Sequence, residues 1–444
     1  MSEIRLELGD IQGTVLRPGP AAYLGAFLLF RIDDAAAAKQ ALRDVLGSVT
    51  SAAHMDLPRP FTFNIAFTRT GLETLGVPHE SFPQEFREGM AARKDVLGDV
   101  GDSDPTRWES PWGTGDVHIG IVIIAAEEAD LERPLALAGD FKGVSQVYRR
   151  DVHLPPDGKE HFGFREGIGG PYIIGSGIDA LPGQDHVMPG EFILGYRDES
   201  GQVSPLPEPE ILTRNGTFVA LRQCATHVAE FRRYLKEHAR SPEDEELLAA
   251  KIVGRWRSGA PLALTPDHDD PALGADPHRN NDFTYNATDP DGLRVPRGAH
   301  IRRVNPRDSL TGTIVDAQIH RMVRRGALYG PPLPEGENGD DGVERGLIFI
   351  FMGASLTRQF EFIQQVWINN GDFTGLGQEK DPLVGANDGT GIHTIPAHPL
   401  RRRLTGLPRF VTVRGGEYLF MPGLRALNWI ATQPGRLRSG LGSR

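Results

Sequence analysis

The sequence is poorest in cysteine: Cys224 is the only one among 444 residues. A single thiol excludes an intrachain disulfide and any zinc or iron–sulfur centre built on cysteines. Equally absent is the apolar run of roughly 18 residues that a membrane helix needs. The longest such runs, IGIVIIAA (119–126) and GLIFIFMGA (346–354), have the length of strands. The opening MSEIRLELGDIQGTV lacks a basic stretch followed by an apolar one, so no secretory signal and a cytoplasmic location are expected. Positive charge is also short. Lys and Arg number 48 against 59 Asp and Glu, a formal net charge of −11. That balance excludes nucleic acid and membrane surfaces as the expected partners.

What is present reads as an ordinary globular chain, 39% hydrophobic and 24% charged. Its length suits two domains or one large one. Apolar segments at 22–32, 61–68, 117–126 and 144–154 predict strands. Between them, 33–49 is Ala-rich with Asp33 and Asp34 at its start, and 127–139 predicts a second helix, broken near Pro134. The order β-α-β-β-α-β is the ferredoxin-like motif. The second half repeats that order with strands at 216–223 and 345–354, helices at 224–240 and 355–368, and a hairpin at 409–423 turning at Gly415-Gly416. Phe360, Ile363 and Trp367 share one face of the later helix. The fold class expected is therefore α+β, two ferredoxin-like halves, each a four-stranded antiparallel sheet with helices. They divide at 1–205 and 206–444, around the Pro-rich DESGQVSPLPEPE (198–210). A long loop-rich insertion, roughly 255–344, interrupts the second half. Long ordered loops are usually functional.

Three stretches carry candidate chemistry. EHFGFREGIGGP (160–171) sets Arg165 and Glu166 among glycines, where the backbone is cleared for close approach. GAHIRRVNPRDS (298–309) places His300 beside Arg294, Arg297, Arg302, Arg303 and Arg307. That reads either as a solvated basic loop or as a metal-ligating histidine next to an anion site. A cofactor with both a metal and carboxylates is haem, whose iron takes a proximal histidine. RMVRRGALYG (321–330) is a second Arg-rich turn, with salt bridging as its alternative reading.

Together with GDIQGTVLRP (9–18), PGEFILGY (189–196), VGRWRSGAPL (253–262), RQFEFIQQVWINNGDFTGL (358–376), DPLVG (381–385) and FVTVRGGEYLFMPGL (410–424), these stretches resemble the dye-decolourising peroxidase family. They run through nearly the whole chain in the family's order. The resemblance implies a dimeric α+β barrel fold with one haem b per chain in the C-terminal half. It implies reduction of hydrogen peroxide through a ferryl intermediate and one-electron oxidation of organic donors such as dyes and phenols. His300 matches the proximal iron ligand and Asp381 its carboxylate partner. Arg324 matches the distal arginine. Arg302, Arg303 and Arg307 match candidates for the haem propionates, and Gly167 a backbone contact to the cofactor. Trp367 and Tyr329 are candidate electron relays, with packing as the alternative for both.

One departure stands out. The family turn is G-x-x-D-G, and here Glu166 replaces the aspartate. Its reach is one C–C bond longer, roughly 1.5 Å. Gly169 and Gly170 stand where the family often carries Ser-Gln. Two alternatives follow: a specialised haem oxidase acting on one small organic substrate, and a haem-binding protein with little catalysis. A homo-oligomer is left open. The tail RLRSGLGSR (436–444) reads as a polar chain end, with a weak likeness to the docking tails of enzymes enclosed in protein shells.

Overall fold

Apolar alternation becomes strand where each face has something to bury against. In the computed structural model, which describes residues 4–17, 19–54, 60–372 and 375–433, the first half holds strands β1 (Tyr23–Ile32), β2 (Phe61–Phe67), β3 (Ile119–Ala125) and β4 (Val144–Leu154). The second holds β5 (Thr217–Thr226), β6 in two pieces (Val323–Arg324 and Ala327–Tyr329), β7 (Gly346–Gly353) and β8 (Val411–Met421). The tail 436–444 lies outside the described residues.

All of these strands join one sheet. In the first half β2 pairs β3, β3 pairs β1 and β1 pairs β4, all antiparallel. In the second, β6 pairs β7, β7 pairs β5 and β5 pairs β8. Both halves therefore carry the ferredoxin-like strand order 2-3-1-4. They meet head to tail, β4 against β6 through His153↔Leu328 and β8 against β2 through Phe420↔Phe67. The sheet closes into a barrel, which leaves no free edge between the halves.

Neighbouring residues of β1 serve two cores, as strand alternation requires. Phe27 and Leu29 pack inside with Val219, Leu221, Ile348, Ile350 and Leu419 of the other half. Ala26, Leu28 and Phe30 pack outward on Ala38, Leu42 and Val45 of α1 (Ala35–Val45). Asp34 starts that helix by accepting the N–H groups of Ala36 and Ala37. In α2 (Glu132–Gly139) Pro134 sits in the first turn, where its missing N–H costs nothing, so it does not break the helix as expected. Helices α3 (Val228–His238) and α4 (Pro242–Val253) pack together beyond β5.

Three further expectations need correction. Residues 409–423 form no hairpin: β8 runs straight through Gly415-Gly416 with a bulge between Val413 and Gly415. The glycines serve packing, since a Cβ at Gly415 would lie 2.2 Å from the Trp112 ring and one at Gly416 2.3 Å from Met90 Sδ. The helix at 355–368 is wound as π-helix over Leu356–Glu361 and Ile363–Ile368. Its expected common face is divided, with Phe360 in the outer barrel core and Ile363 and Trp367 in a separate cluster. The Arg-rich stretch at 321–330 is strand β6 rather than a turn.

Candidate active site

The insertion between α4 and β6 supplies a short helix, α5 (His300–Val304), with His300 as its first residue. His300 Nδ1 lies 2.9 Å from Asp381 Oδ2. Asp381 is fully buried, and its other oxygen accepts the N–H groups of Leu383 and Val384, each at 2.9 Å. Burial pushes this carboxyl up, but the facing His300, the Arg303 guanidinium and the Val384 N–H outweigh it and hold it below the usual carboxylate range. A carboxylate that accepts from Nδ1–H leaves Nε2 as the ring nitrogen open to a ligand.

A second wall is the turn 158–171. Gly163 and Gly167 adopt φ of 93° and 81°, left-handed values that favour glycine. The turn is tied from within by Glu160, whose oxygens accept the N–H groups of Phe162 at 2.8 Å and Phe164 at 2.9 Å. Desolvation, with the Glu166 charge adding, pushes the Glu160 carboxyl up to about 8. The Glu166 N–H donates to the Gly158 carbonyl at 2.8 Å, which fixes the backbone. The Glu166 side chain is exposed to the cavity.

Strand β6 brings Arg324 to the same cavity, its Nη2 3.4 Å from the Ile168 carbonyl. The strand is stitched to the first half of the chain just after Arg324. Tyr23 of β1 donates to the Gly326 carbonyl at 2.9 Å, and Arg325 Nε donates to the Thr14 carbonyl at 2.9 Å. Desolvation pushes the Tyr23 phenol up to about 12, with the Glu166 charge second.

One cavity of about 820 Å³ joins these groups. It lies against Cys224, Leu347, Phe349 and Val411 of β5, β7 and β8, and is walled by His300, Ile301 and Val304 of α5. Eight arginines and four carboxyl groups line it, in a chain that is acidic overall. The volume falls in the usual range for ligand sites, about 300–1,000 Å³. Arg307 Nε and Asn305 Oδ1 are buried without a partner, and both residues line the cavity. A histidine held by a carboxylate, surplus arginines and orphaned polar atoms fit a flat metal-bearing cofactor with carboxylates, as haem is.

The structure sorts the expected site residues. Glu166, Gly167, His300, Arg307 and Arg324 line the cavity, and Asp381 stands behind His300. Arg302 and Arg303 do not line it, which corrects their expected role at the propionates. Arg302 is buried against Asp289, donating to Oδ2 at 3.1 Å and to the Val295 carbonyl at 2.8 Å. Arg303 donates to the carbonyls of Trp367, Glu379 and Asn370 at 2.6, 3.0 and 2.9 Å. Both guanidinium groups staple the insertion. Trp367 is buried edge-on against His320 and Phe362. Tyr329 is buried beneath Arg150, and its hydroxyl donates to Glu344 at 3.0 Å.

Sequence reasoning missed Glu160, Tyr23 and Arg255, and took Arg321 and Arg325 only as members of a cluster. Arg255 is pushed down to about 9 by desolvation, with Arg307 adding. Arg321 pairs with Asp185 at 2.9 Å and donates to the Gly169 carbonyl at 2.7 Å. These arginines meet only in the folded chain, so spacing carries no signal for them. Glu160 had a local one: a carboxyl two and four residues before the amides it caps.

Comparison with known proteins bears on the same geometry. Residues 10–136 match the family model described as the DyP dimeric alpha+beta barrel domain. The chain is 34% identical to a dye-decolorizing peroxidase of Mycena epipterygia, over 96% of this chain and 87% of that protein. It is 33% identical to one of Auricularia auricula-judae, over 95% and 86%. A solved dye-decolorizing peroxidase in complex with 2,6-dimethoxyphenol superposes with a TM-score of 0.86 at 32% identity, covering 96% of this chain and 100% of that one.

Proposed function

The chain belongs to the dye-decolourising peroxidase family and is a haem peroxidase that oxidises organic donors; we propose that His300 holds its iron and that Glu166 and Arg324 handle peroxide. The observation that carries this reading is a single cavity shared by His300, already fixed by Asp381, and by Glu166 and Arg324. When bound, the haem supplies a redox-active iron at which the O–O bond of peroxide is cleaved. The protein's part is protons and charge. One peroxide oxygen must lose a proton, and the other, leaving as water, must gain one. Glu166 can take and return that proton, as a positioned carboxylate does. Arg324 offsets negative charge that develops as the bond breaks. The balance is H2O2 plus two phenols giving two waters and two phenoxyl radicals.

Arg307 is our candidate for a haem carboxylate, supported by its unpartnered Nε. Gly167 lets the backbone approach the cofactor. Haem b at one per chain, the division at 205/206 and the cytoplasmic location belong to the same reading, which pyridine haemochrome spectra, limited proteolysis and cell fractionation test in turn. Tyr329 and Trp367 remain our relay candidates for donors too large for the cavity. A phenol that loses an electron must also lose a proton, and Glu344 stands ready to accept it from Tyr329.

The reading is tested by mixing the haem-loaded protein with one equivalent of peroxide and following the Soret band, then the bleaching of an anthraquinone dye. A rapid spectral change followed by bleaching is expected. A Soret band indifferent to peroxide would overturn the assignment of the pair.

A further inference from the structure

We propose that Cys224 is a self-modification site: when no organic donor is present, peroxide handled in the cavity transfers oxygen to its Sγ, and Arg222 holds the sulfenic acid that forms. The proposal rests on the peroxidase reading and gives peroxide a second fate.

The thiol stands within reach of the cavity's chemistry. Strand β5 places Cys224 opposite Leu347 of β7 on one side and Val413 of β8 on the other, and all three line the cavity. Residues two apart on a strand share a face. Arg222 therefore lines the same wall, with Phe349 opposite it. Cys224 is half-buried, between aliphatic side chains that oxygen transfer leaves alone. It is also the only thiol in the chain. A sulfenic acid formed there has no second cysteine of the chain to condense with, so it persists.

Arg222 makes this corner a site rather than a gap. Its side chain is buried and paired with Asp99, itself buried, and the Phe360 ring covers the guanidinium at 5.6 Å. Its charge is thereby neutralised, which disfavours a carboxylate as a further partner. Its Nε is nevertheless buried without a partner. A lone N–H of this kind calls for a neutral oxygen acceptor. The oxygen of a sulfenic acid is one, and it would form two residues along the same strand face.

Burial separates this route from oxidation by bulk solution. Desolvation pushes the Cys224 thiol up to about 11, against the nearby Arg222 charge. A protonated thiol is a poor nucleophile, so free peroxide leaves it intact. Peroxide activated inside the cavity needs no thiolate. The step is Cys–SH plus H2O2 giving Cys–SOH plus H2O. The O–O bond breaks, an S–O bond forms, sulfur loses two electrons, and the thiol proton leaves in the water. Organic donors compete for the same oxidising equivalents and should spare the thiol.

The test treats the haem-loaded protein with a small excess of hydrogen peroxide and no donor, traps with dimedone, and follows the tryptic peptide 223–232 by mass spectrometry. We expect a dimedone adduct or sulfinic acid at Cys224 in most of the protein. It should be lost when ABTS is present and absent from the apoprotein given the same peroxide. Arg222→Lys keeps a cation beside Asp99 but has no Nε–H of a guanidinium, and there the sulfenic acid should pass to sulfinic acid faster. An apoprotein oxidised as readily as the loaded protein overturns the proposal. So does oxygen on Met322, which also lines the cavity, with Cys224 intact. A protein that bleaches dye while Cys224 stays unmodified overturns it too and spares the peroxidase reading, whereas one indifferent to peroxide overturns both. An unchanged sulfenic acid lifetime in Arg222→Lys overturns the part given to Arg222.

Discussion

The two walls of the cavity are built in opposite ways. On one, His300 leans on a fully buried carboxylate whose oxygens are both engaged and whose backbone is tied to Ile368 and Gly385. On the other, Glu166 and Arg324 are exposed side chains on a glycine-rich turn and a two-residue piece of strand. Their backbones are fixed by Glu160, Tyr23 and Arg325, while of the two side chains Arg324 alone makes a bond, to the Ile168 carbonyl at 3.4 Å. A metal ligand profits from a rigid partner that sets its tautomer and basicity. A group that must receive and return a proton needs a side chain without a permanent partner. The difference explains how one wall tolerates a longer carboxylate: the backbone is pinned, and the room lies ahead of it.

Breaking the rigid wall should cost most. If His300 holds the iron, as we propose, the purified His300→Ala protein should carry essentially no haem after reconstitution, as read by Soret absorbance. On the open wall, Arg324→Leu should retain haem and slow the peroxide reaction by about 10²–10³-fold, the usual cost of losing a charge-stabilising donor. If it lost haem instead, the division between the walls would be wrong. Asp381→Asn should lower haem affinity by roughly 10–100-fold, measured by competition with apomyoglobin.

The smallest effect concerns Glu160. Its folded value, about 8, lies above the ordinary 4.5. Between these the unfolded chain is ionised while the folded one holds a proton, so stability falls as pH rises through the window. The apoprotein should lose thermal stability from about pH 5 to pH 8, and Glu160→Gln should flatten that slope.

How much of this was legible follows from how local each determinant is. Strand β4 was bounded at both ends from its own residues alone. The hairpin at Gly415-Gly416 was not real, because the reason for those glycines, Trp112 and Met90, lies some 300 residues away in the chain. Among the arginines near His300 the signal was present and unused. At 100° per residue, His300, Ile301, Val304 and Asn305 occupy one face of α5, the face that lines the cavity. Arg302 and Arg303 fall on the other, and both turn away from the cavity. Strand β6 was hidden by its charge: Arg325 and Arg321 find their partners, the Thr14 carbonyl and Asp185, in distant segments.

The central claim is that Glu166 carries the proton on the open wall. Its most direct test is the stopped-flow rate of the peroxide reaction in Glu166→Gln and Glu166→Asp, each at full haem occupancy. The account predicts that Glu166→Gln is slower by about 10²–10⁴-fold, with haem binding unchanged, and that Glu166→Asp keeps most of the rate. A Glu166→Gln protein that reacts as fast as the parent would contradict it and assign the proton to another group in the cavity.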